Sequence, residues 1–332
     1  MKFIRMVVII GVCSLLFSSK QDNDLSGIWI GAYYFDPNSS FGSKLPLNWL
    51  VEVSDDELNV TTLKLDGVDP PNTSTSLRYR RTGNQIFINF DKGVDSVEIV
   101  SQNDDSIVLQ YHGEGDAKFV FKKFARGASP KMPTLSGKSF NIFSRNYKDS
   151  VSFLTDSVFI NISRGSVQAN RWAQTAVHKY SFLLLGEQGP PLYVKSIKND
   201  TVMLENFGAG NRYLFLVRLS DKNLSLEGRW KEVGRLCKKC LPPPPGRGKM
   251  KLNFGADSCE ISYGARRIKR RWRLNSTAEI LYFDPINKVN DWNWAWHVER
   301  AGDSLIVDRR ILFKDEADDF DSGEKIVFKK KK

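Results

Sequence analysis

Three stretches of this chain carry side chains whose types and spacing could do chemistry. Cys237-Lys238-Lys239-Cys240 is a C-x-x-C, with Cys259 the next cysteine downstream. Paired thiolates ligate zinc, but a closed site takes four ligands, and His297 would have to serve as the fourth. A redox pair of the thioredoxin type needs a βαβ setting, which this sequence does not offer. A disulfide among Cys237, Cys240 and Cys259, free thiols, a metal site and a redox pair all stay open, and neither a metal nor a cofactor is expected. The second stretch, Asp291 to His297, puts Trp292, Trp294 and Trp296 on one face of a strand. Facing solvent, the three indoles would stack on a ligand; facing inward, they would be core or cavity wall. The third stretch is the basic run Arg266 to Arg273, whose Arg267, Arg271 and Arg273 are candidates to hold an anion. Residues 226–332 contain 24 Lys and Arg against 16 Asp and Glu, a surplus of 8 out of the chain's net +11. Basicity is therefore local.

Nothing else reads as catalytic. His112, His178 and His297 are isolated, and the carboxylate pairs Asp55-Asp56 and Asp318-Asp319 sit in turn-like contexts. No nucleophile elbow, phosphate loop or H-E-x-x-H is present. The expectation is a protein that is not an enzyme.

The elements that position these groups are strands. Apolar runs are mostly four to eight residues long, are rich in Val, Ile, Phe, Tyr and Thr, and show no sustained helical period after the first twenty residues. Those first residues differ: Lys2 and Arg5 precede the apolar run Met6 to Phe17, and Ser18-Ser19 follow. This reads as a secretory signal over residues 1–20, too short to span a bilayer. A lipid or uncleaved anchor near Cys13 is the alternative.

A short motif organises the rest. Leu25-Ser26-Gly27-Ile28-Trp29 returns as Leu226-Glu227-Gly228-Arg229-Trp230. It returns more loosely as Leu135-Ser136-Gly137-Lys138-Ser139-Phe140, with Ser139 where the tryptophan is expected. Late hairpins recur in the same order, Asn103 to Leu109, Asn199 to Leu204 and Gly302 to Val307, each followed by a closing strand. The expected domains are residues 21–125, 135–220 and 225–332, the first two separated by the linker Arg126 to Pro133. Each block carries about eight short strands, enough for an antiparallel up-and-down sheet that closes on itself and so removes its edges. Gly27, Gly137 and Gly228 would bend the backbone at the base, and Trp29 and Trp230 would plug it. Leu241-Pro242-Pro243-Pro244-Pro245-Gly246 reads as a stiff polyproline II loop within the third block.

Gly-x-Trp opening the first strand, a late hairpin and a basic residue on the last strand resemble the lipocalins, most of all the short lipocalin-like domains of secreted bacterial proteins. The resemblance implies an all-β chain of three tandem small barrels behind a signal peptide. It also implies a basic side chain lying over each tryptophan: Lys122 or Lys123 over Trp29, and Lys329 or Lys330 over Trp230. The blocks are shorter than a typical lipocalin, and a small barrel can be filled by its own side chains.

The expected function is non-enzymatic binding, outside the cell or in its envelope. A small apolar or anionic ligand would sit in a barrel mouth or on the Trp/Arg-rich face of the third block. The alternative is a structural surface protein whose third block docks an envelope protein partner. Nucleic acid is not expected, nor membrane contact beyond the N-terminus.

Overall fold

The computed structural model describes residues 25–35, 44–65, 72–91, 93–112, 116–145, 147–163, 166–186, 189–208, 210–236, 249–284, 295–308 and 325–331. The signal-like segment 1–20, the pair Cys237 and Cys240, the proline run 242–245, Trp292 and Trp294 lie outside them.

The described residues form strands and no helix. The first barrel runs β1 (Gly27–Phe35), β2 (Lys44–Pro46), β3 (Trp49–Val53), β4 (Glu57–Leu63), β5 (Asn72–Thr82), β6 (Gln85–Phe90), β7 (Gly93–Asn103), β8 (Ser106–Tyr111) and β9 (Lys118–Lys123). Neighbouring strands pair antiparallel, and β9 closes on β1, while the three-residue β2 adds outside the ring. The second closed barrel comprises β10 (Ser139–Ser144), β11 (Tyr147–Phe153), β12 (Val158–Ser163), β13 (Ser166–Val177), β14 (Tyr180–Leu185), β15 (Leu192–Lys198), β16 (Thr201–Asn206) and β17 (Tyr213–Arg218). The third comprises β18 (Gly228–Leu236), β19 (Lys251–Phe254), β20 (Ser258–Tyr263), β21 (Arg266–Leu274), β22 (Ile280–Asp284), β23 (Ala295–Ala301), β24 (Ser304–Asp308) and β25 (Lys325–Lys330). The chain is thus all-β, with three eight-stranded antiparallel barrels. Each ring pairs its eight strands on both sides and so removes their edges, leaving the three-residue β2 paired on one side.

The repeat is written in the hydrogen bonds. Trp29 Nε1 donates to the Leu25 carbonyl at 2.7 Å, and Trp230 Nε1 to the Leu226 carbonyl at 2.8 Å. Gly27 and Gly228 precede them at φ of 120° and 116°, a region that side chains strongly disfavour. Bare backbone there also makes room for a lysine stem, since a Cβ on Gly228 would sit 2.8 Å from Lys330 Cε.

In barrel 2 the register corrects the sequence alignment. Trp29 faces Lys123, Trp230 faces Lys330, and the matching pair is Phe140 with Arg218. Phe140, not Ser139, therefore holds the tryptophan's place. Gly137 stands before the strand, in a turn at φ 75°. Ser139 is buried with its Oγ 2.8 Å from Ser152 Oγ.

A second recurrent aromatic escaped sequence reading. The Tyr79 hydroxyl donates to the Ser54 carbonyl at 2.9 Å, Trp172 Nε1 to that of Thr155 at 2.9 Å, and Trp272 Nε1 to that of Gly255 at 2.9 Å. Each ties the fourth strand of its ring to the hairpin joining the second and third. The residue type changes and the spacing from the opening motif drifts, so no string comparison exposes it.

Barrel 1 forms one compact unit, and barrels 2 and 3 together form the other. Within the second unit, Leu154, Val158, Ile160 and Ala169 of barrel 2 pack against Ile280, Tyr282 and Ala295 of barrel 3. These side chains point outward from their own barrels and are covered by the neighbouring one. Beside them Asn275 Nδ2 donates to Ser139 Oγ and Ser152 Oγ at 3.2 and 3.0 Å. The Tyr282 hydroxyl donates to the Leu154 carbonyl at 3.0 Å.

Candidate functional site

The three interiors are not filled alike. Among the described residues, barrel 2's core cluster holds fourteen buried apolar residues with three half-buried ones packed against them, and barrel 3's holds fifteen with four. In barrel 1 the balance is inverted: seven are buried and nine only half-buried, among them Trp49, Val51, Val53, Leu109 and Phe119. These residues alternate correctly to face inward on their strands. All but Tyr34 and Tyr79 line an open cavity of about 260 Å³, which leaves them half-exposed.

That cavity is a cup. Leu25 and Trp29 form its floor, where β1 begins. Val51, Val60, Ile88 and Leu109 form its walls, and Phe90, Asp95 and Tyr111 its rim. Aromatic rings line one side, with Trp49 stacked on Phe119 at 5.9 Å and an interplanar angle of 17°, and 6.5 Å from Phe121. Tyr34 extends the stack to Phe119 at 6.3 Å. Phe90 at the rim is 46% exposed, a large apolar side chain presented to whatever enters. Among the described residues, the only charged side chain in the lining is Asp95, whose Oδ1 accepts the Ser96 N–H at 2.8 Å. Beyond Tyr111, His112 lies between Glu98 and Asp116, at 2.8 and 3.1 Å. Hydrogen bonding to Glu98, then to Asp116, raises its pKa above the usual histidine value. Lys44 and Lys118, both opposite Phe35, stand at the same end of the barrel, so the charge around it is mixed.

Among the described side chains first singled out, most lie elsewhere. Trp296, offered as a ligand platform, is a core residue of barrel 3, 4% exposed, with its ring 4.9 Å from Phe283 and edge-on to it. It faces inward with Val298, so no solvent-facing surface includes it. Arg267, Arg271 and Arg273 are exposed on the outer face of β21. Arg270, at an inward position of the same strand, is half-buried. The lysines over the tryptophans are Lys123 on Trp29 and Lys330 on Trp230, both 5.7 Å from the ring. Lys122 and Lys329 point to the opposite side of their strands. Arg300 adds a second cation 5.9 Å from Trp230.

Cys259 is a free, fully buried thiol in the core of barrel 3, which removes it from any disulfide. Burial pushes its pKa up to about 12. Cys259 is therefore expected to resist iodoacetamide at pH 8 in the folded protein and to react promptly in guanidinium, read by mass spectrometry. The unfolded thiol ionises near its ordinary value of 9.0 while the folded one stays protonated. Its contribution to stability is therefore complete below that pH and declines as pH rises further. Among the described residues, no three His, Cys, Asp or Glu side chains converge as metal ligands.

Barrel 3 carries its own buried ion pair instead. Glu232 accepts Arg235 Nε at 2.6 Å and the Met250 N–H at 2.7 Å. Burial opposes its ionisation, but these donors prevail and hold its pKa below the usual carboxylate value.

No protein-family model matches this chain. No curated protein matches it either. Solved structures with some likeness include an uncharacterized protein from Bacteroides eggerthii, at TM-score 0.24 and 14% identity over 30% of this chain and all of that one. Another is the isotype 1 transferrin binding protein B of serogroup B Neisseria meningitidis, at TM-score 0.16 and 9% identity over 85% of this chain and 65% of that one. The Helicobacter pylori beta clamp in complex with 5-chloroisatin gives TM-score 0.15 and 8% identity over 94% and 93%. None of these likenesses is strong enough to carry an argument about function.

Proposed function

We propose that this is a non-enzymatic, lipocalin-like binding protein of the cell exterior or envelope, and that barrel 1 holds its ligand. The observation that supports this is the hollow apolar interior of barrel 1 beside the larger buried cores described in barrels 2 and 3. An apolar cavity of about 150 Å³ stays dry and takes benzene. One of about 260 Å³ suits a bicyclic aromatic or a branched aliphatic group. The guest is apolar, because the described lining is apolar apart from Asp95 and Ser96. Barrels 2 and 3, with their larger buried cores and joined to each other, support the alternative role for their own part of the chain, that of a rigid support. The basic leader at residues 1–20 is the ground for placing the protein outside the cytoplasm.

A fluorescence titration with N-phenyl-1-naphthylamine, a neutral probe, tests this reading. Saturable binding is expected, with Kd on the order of 10–100 µM. Val60→Trp points a large ring into the cup. It is expected to weaken binding by about tenfold or more while leaving the melting temperature unchanged or higher, since it fills space that is already empty. No saturable signal, or a signal that Val60→Trp leaves intact, overturns the assignment.

A further inference from the structure

Register brings together cations that are far apart in sequence. On the outside of barrel 3, Lys329 lies opposite Lys231, Lys231 opposite Lys251, Lys251 opposite Ser262, and Ser262 opposite Arg267. All four basic residues are exposed. They face outward because Trp230, Leu252, Ile261 and Phe328, the residues beside the row on four of its strands, are core. From Arg267 the charge continues down β21 through Lys269, Arg271 and Arg273, at the other outward positions of that strand. Strand spacing of about 4.8 Å and a two-residue step of about 6.6 Å make each arm roughly 20 Å long.

Like charges placed directly opposite on a sheet are destabilising. Lys231 has such a neighbour on both sides. Among the described residues, Lys231, Lys251, Lys329, Arg267, Lys269 and Arg271 have no carboxylate partner. Two carboxylates border the cations: Glu260 lies opposite Lys269 and accepts the Ser262 hydroxyl at 3.2 Å, and Asp284 lies opposite Arg271 in the register. Barrel 2 covers the outer side of β22 and β23, so the bare cationic face starts at the first uncovered strand.

We infer that this face binds a flexible linear acidic polysaccharide. The row from Lys329 to Arg267 crosses four of the ring's eight strand intervals, half-way round the barrel. Its two ends point in opposite directions, so no flat membrane touches both, whereas a polymer can follow the curve. The uncharged outward side chains between the cations are Ser258, Ser262 and Asn253, groups able to hydrogen-bond sugar hydroxyls. Nucleic-acid surfaces of this kind interleave aromatics on which bases stack, and the described tryptophans of this barrel, Trp230, Trp272 and Trp296, pack with the core. This site is independent of the barrel 1 cavity.

Isothermal titration of the full chain with a decameric oligogalacturonate at about 50 mM salt tests the inference, with a 20-mer oligothymidylate and phosphatidylglycerol vesicles as comparators. Saturable binding to the uronate that weakens with salt is expected. The triple variants Lys231→Ser/Lys251→Ser/Lys329→Ser and Arg267→Ser/Lys269→Ser/Arg271→Ser are each expected to lose roughly tenfold in affinity and to flatten the salt dependence. Their melting temperatures should be unchanged or higher, since opposed like charges are removed. If either triple folds poorly, Lys231→Ser and Arg267→Ser alone should each lose about twofold. Absence of binding, tighter binding to the oligonucleotide or the vesicles, or loss in only one triple overturns the proposal.

Discussion

Trp230→Ala is expected to destabilise the unit containing barrels 2 and 3 by about 3–5 kcal/mol, and Trp29→Ala to destabilise barrel 1 by distinctly less, about 1–3 kcal/mol. The two tryptophans make nearly the same local bonds. Each donates its indole N–H to the leucine carbonyl four residues earlier and carries a lysine 5.7 Å from its ring. Their surroundings separate them. Trp230 is 1% exposed within a cluster of fifteen buried residues, so its removal opens a void among atoms that cannot collapse into it. Trp29 is the floor of a cavity that already exists, so its removal enlarges an empty space and loses fewer contacts. Calorimetry of the two variants, with one transition assigned to each unit, checks this. Equal losses would mean that barrel 1 is as tightly filled as barrel 3, and the binding assignment would go with that result.

Asn275→Leu is expected to cost about 3–5 kcal/mol and to split the joint unfolding of barrels 2 and 3 into two steps. Asn275 is 4% exposed and uses its whole carboxamide. Oδ1 accepts the N–H groups of Glu279 and Ile280 at 2.9 and 2.8 Å. Nδ2 is shared among Thr277 Oγ1 at 2.8 Å and the two serines of barrel 2. A leucine of similar size strands two backbone donors and crowds two hydroxyls, and each buried group left without a partner costs about 1–3 kcal/mol. The apolar contact of Ile160 with Ile280 and Tyr282 remains, so the barrels stay attached but lose the bonds that fix their fit. Ser152→Ala, which leaves Ser139 and Thr277 to re-pair with Asn275, is expected to cost only about 1 kcal/mol. If Asn275→Leu instead melts in one step at the parent temperature, the polar cluster contributes nothing to coupling.

The fold was legible because closure of a small barrel depends on local patterning. Short alternating runs, turn residues at fixed intervals and the Leu-x-Gly-x-Trp openings are each visible in a one-dimensional string, and together they admit few architectures. The site was not legible. Residues 291–297 look exceptional as text, yet Trp296 is core, while the cup is lined by valines, isoleucines and phenylalanines that read as ordinary strand positions. Whether an inward-facing valine is buried depends on what arrives from the far wall, and period-two alternation carries no information about that. The same holds for Lys231, Lys251 and Lys329. They lie about 20 and 80 residues apart along the chain and become neighbours only through cross-strand register.

By itself the amino-acid sequence determined that this chain is all-β, that its unit recurs three times, and that glycine and an aromatic open each unit. Those features rest on backbone preference and nearest-neighbour alternation. Tertiary structure alone decided which barrel is hollow, which tryptophan is core, how barrels 2 and 3 join, and where the cations gather. Each of those outcomes depends on volumes and charges summed across strands distant in the chain, and close packing resolves such sums only when all the strands are in place.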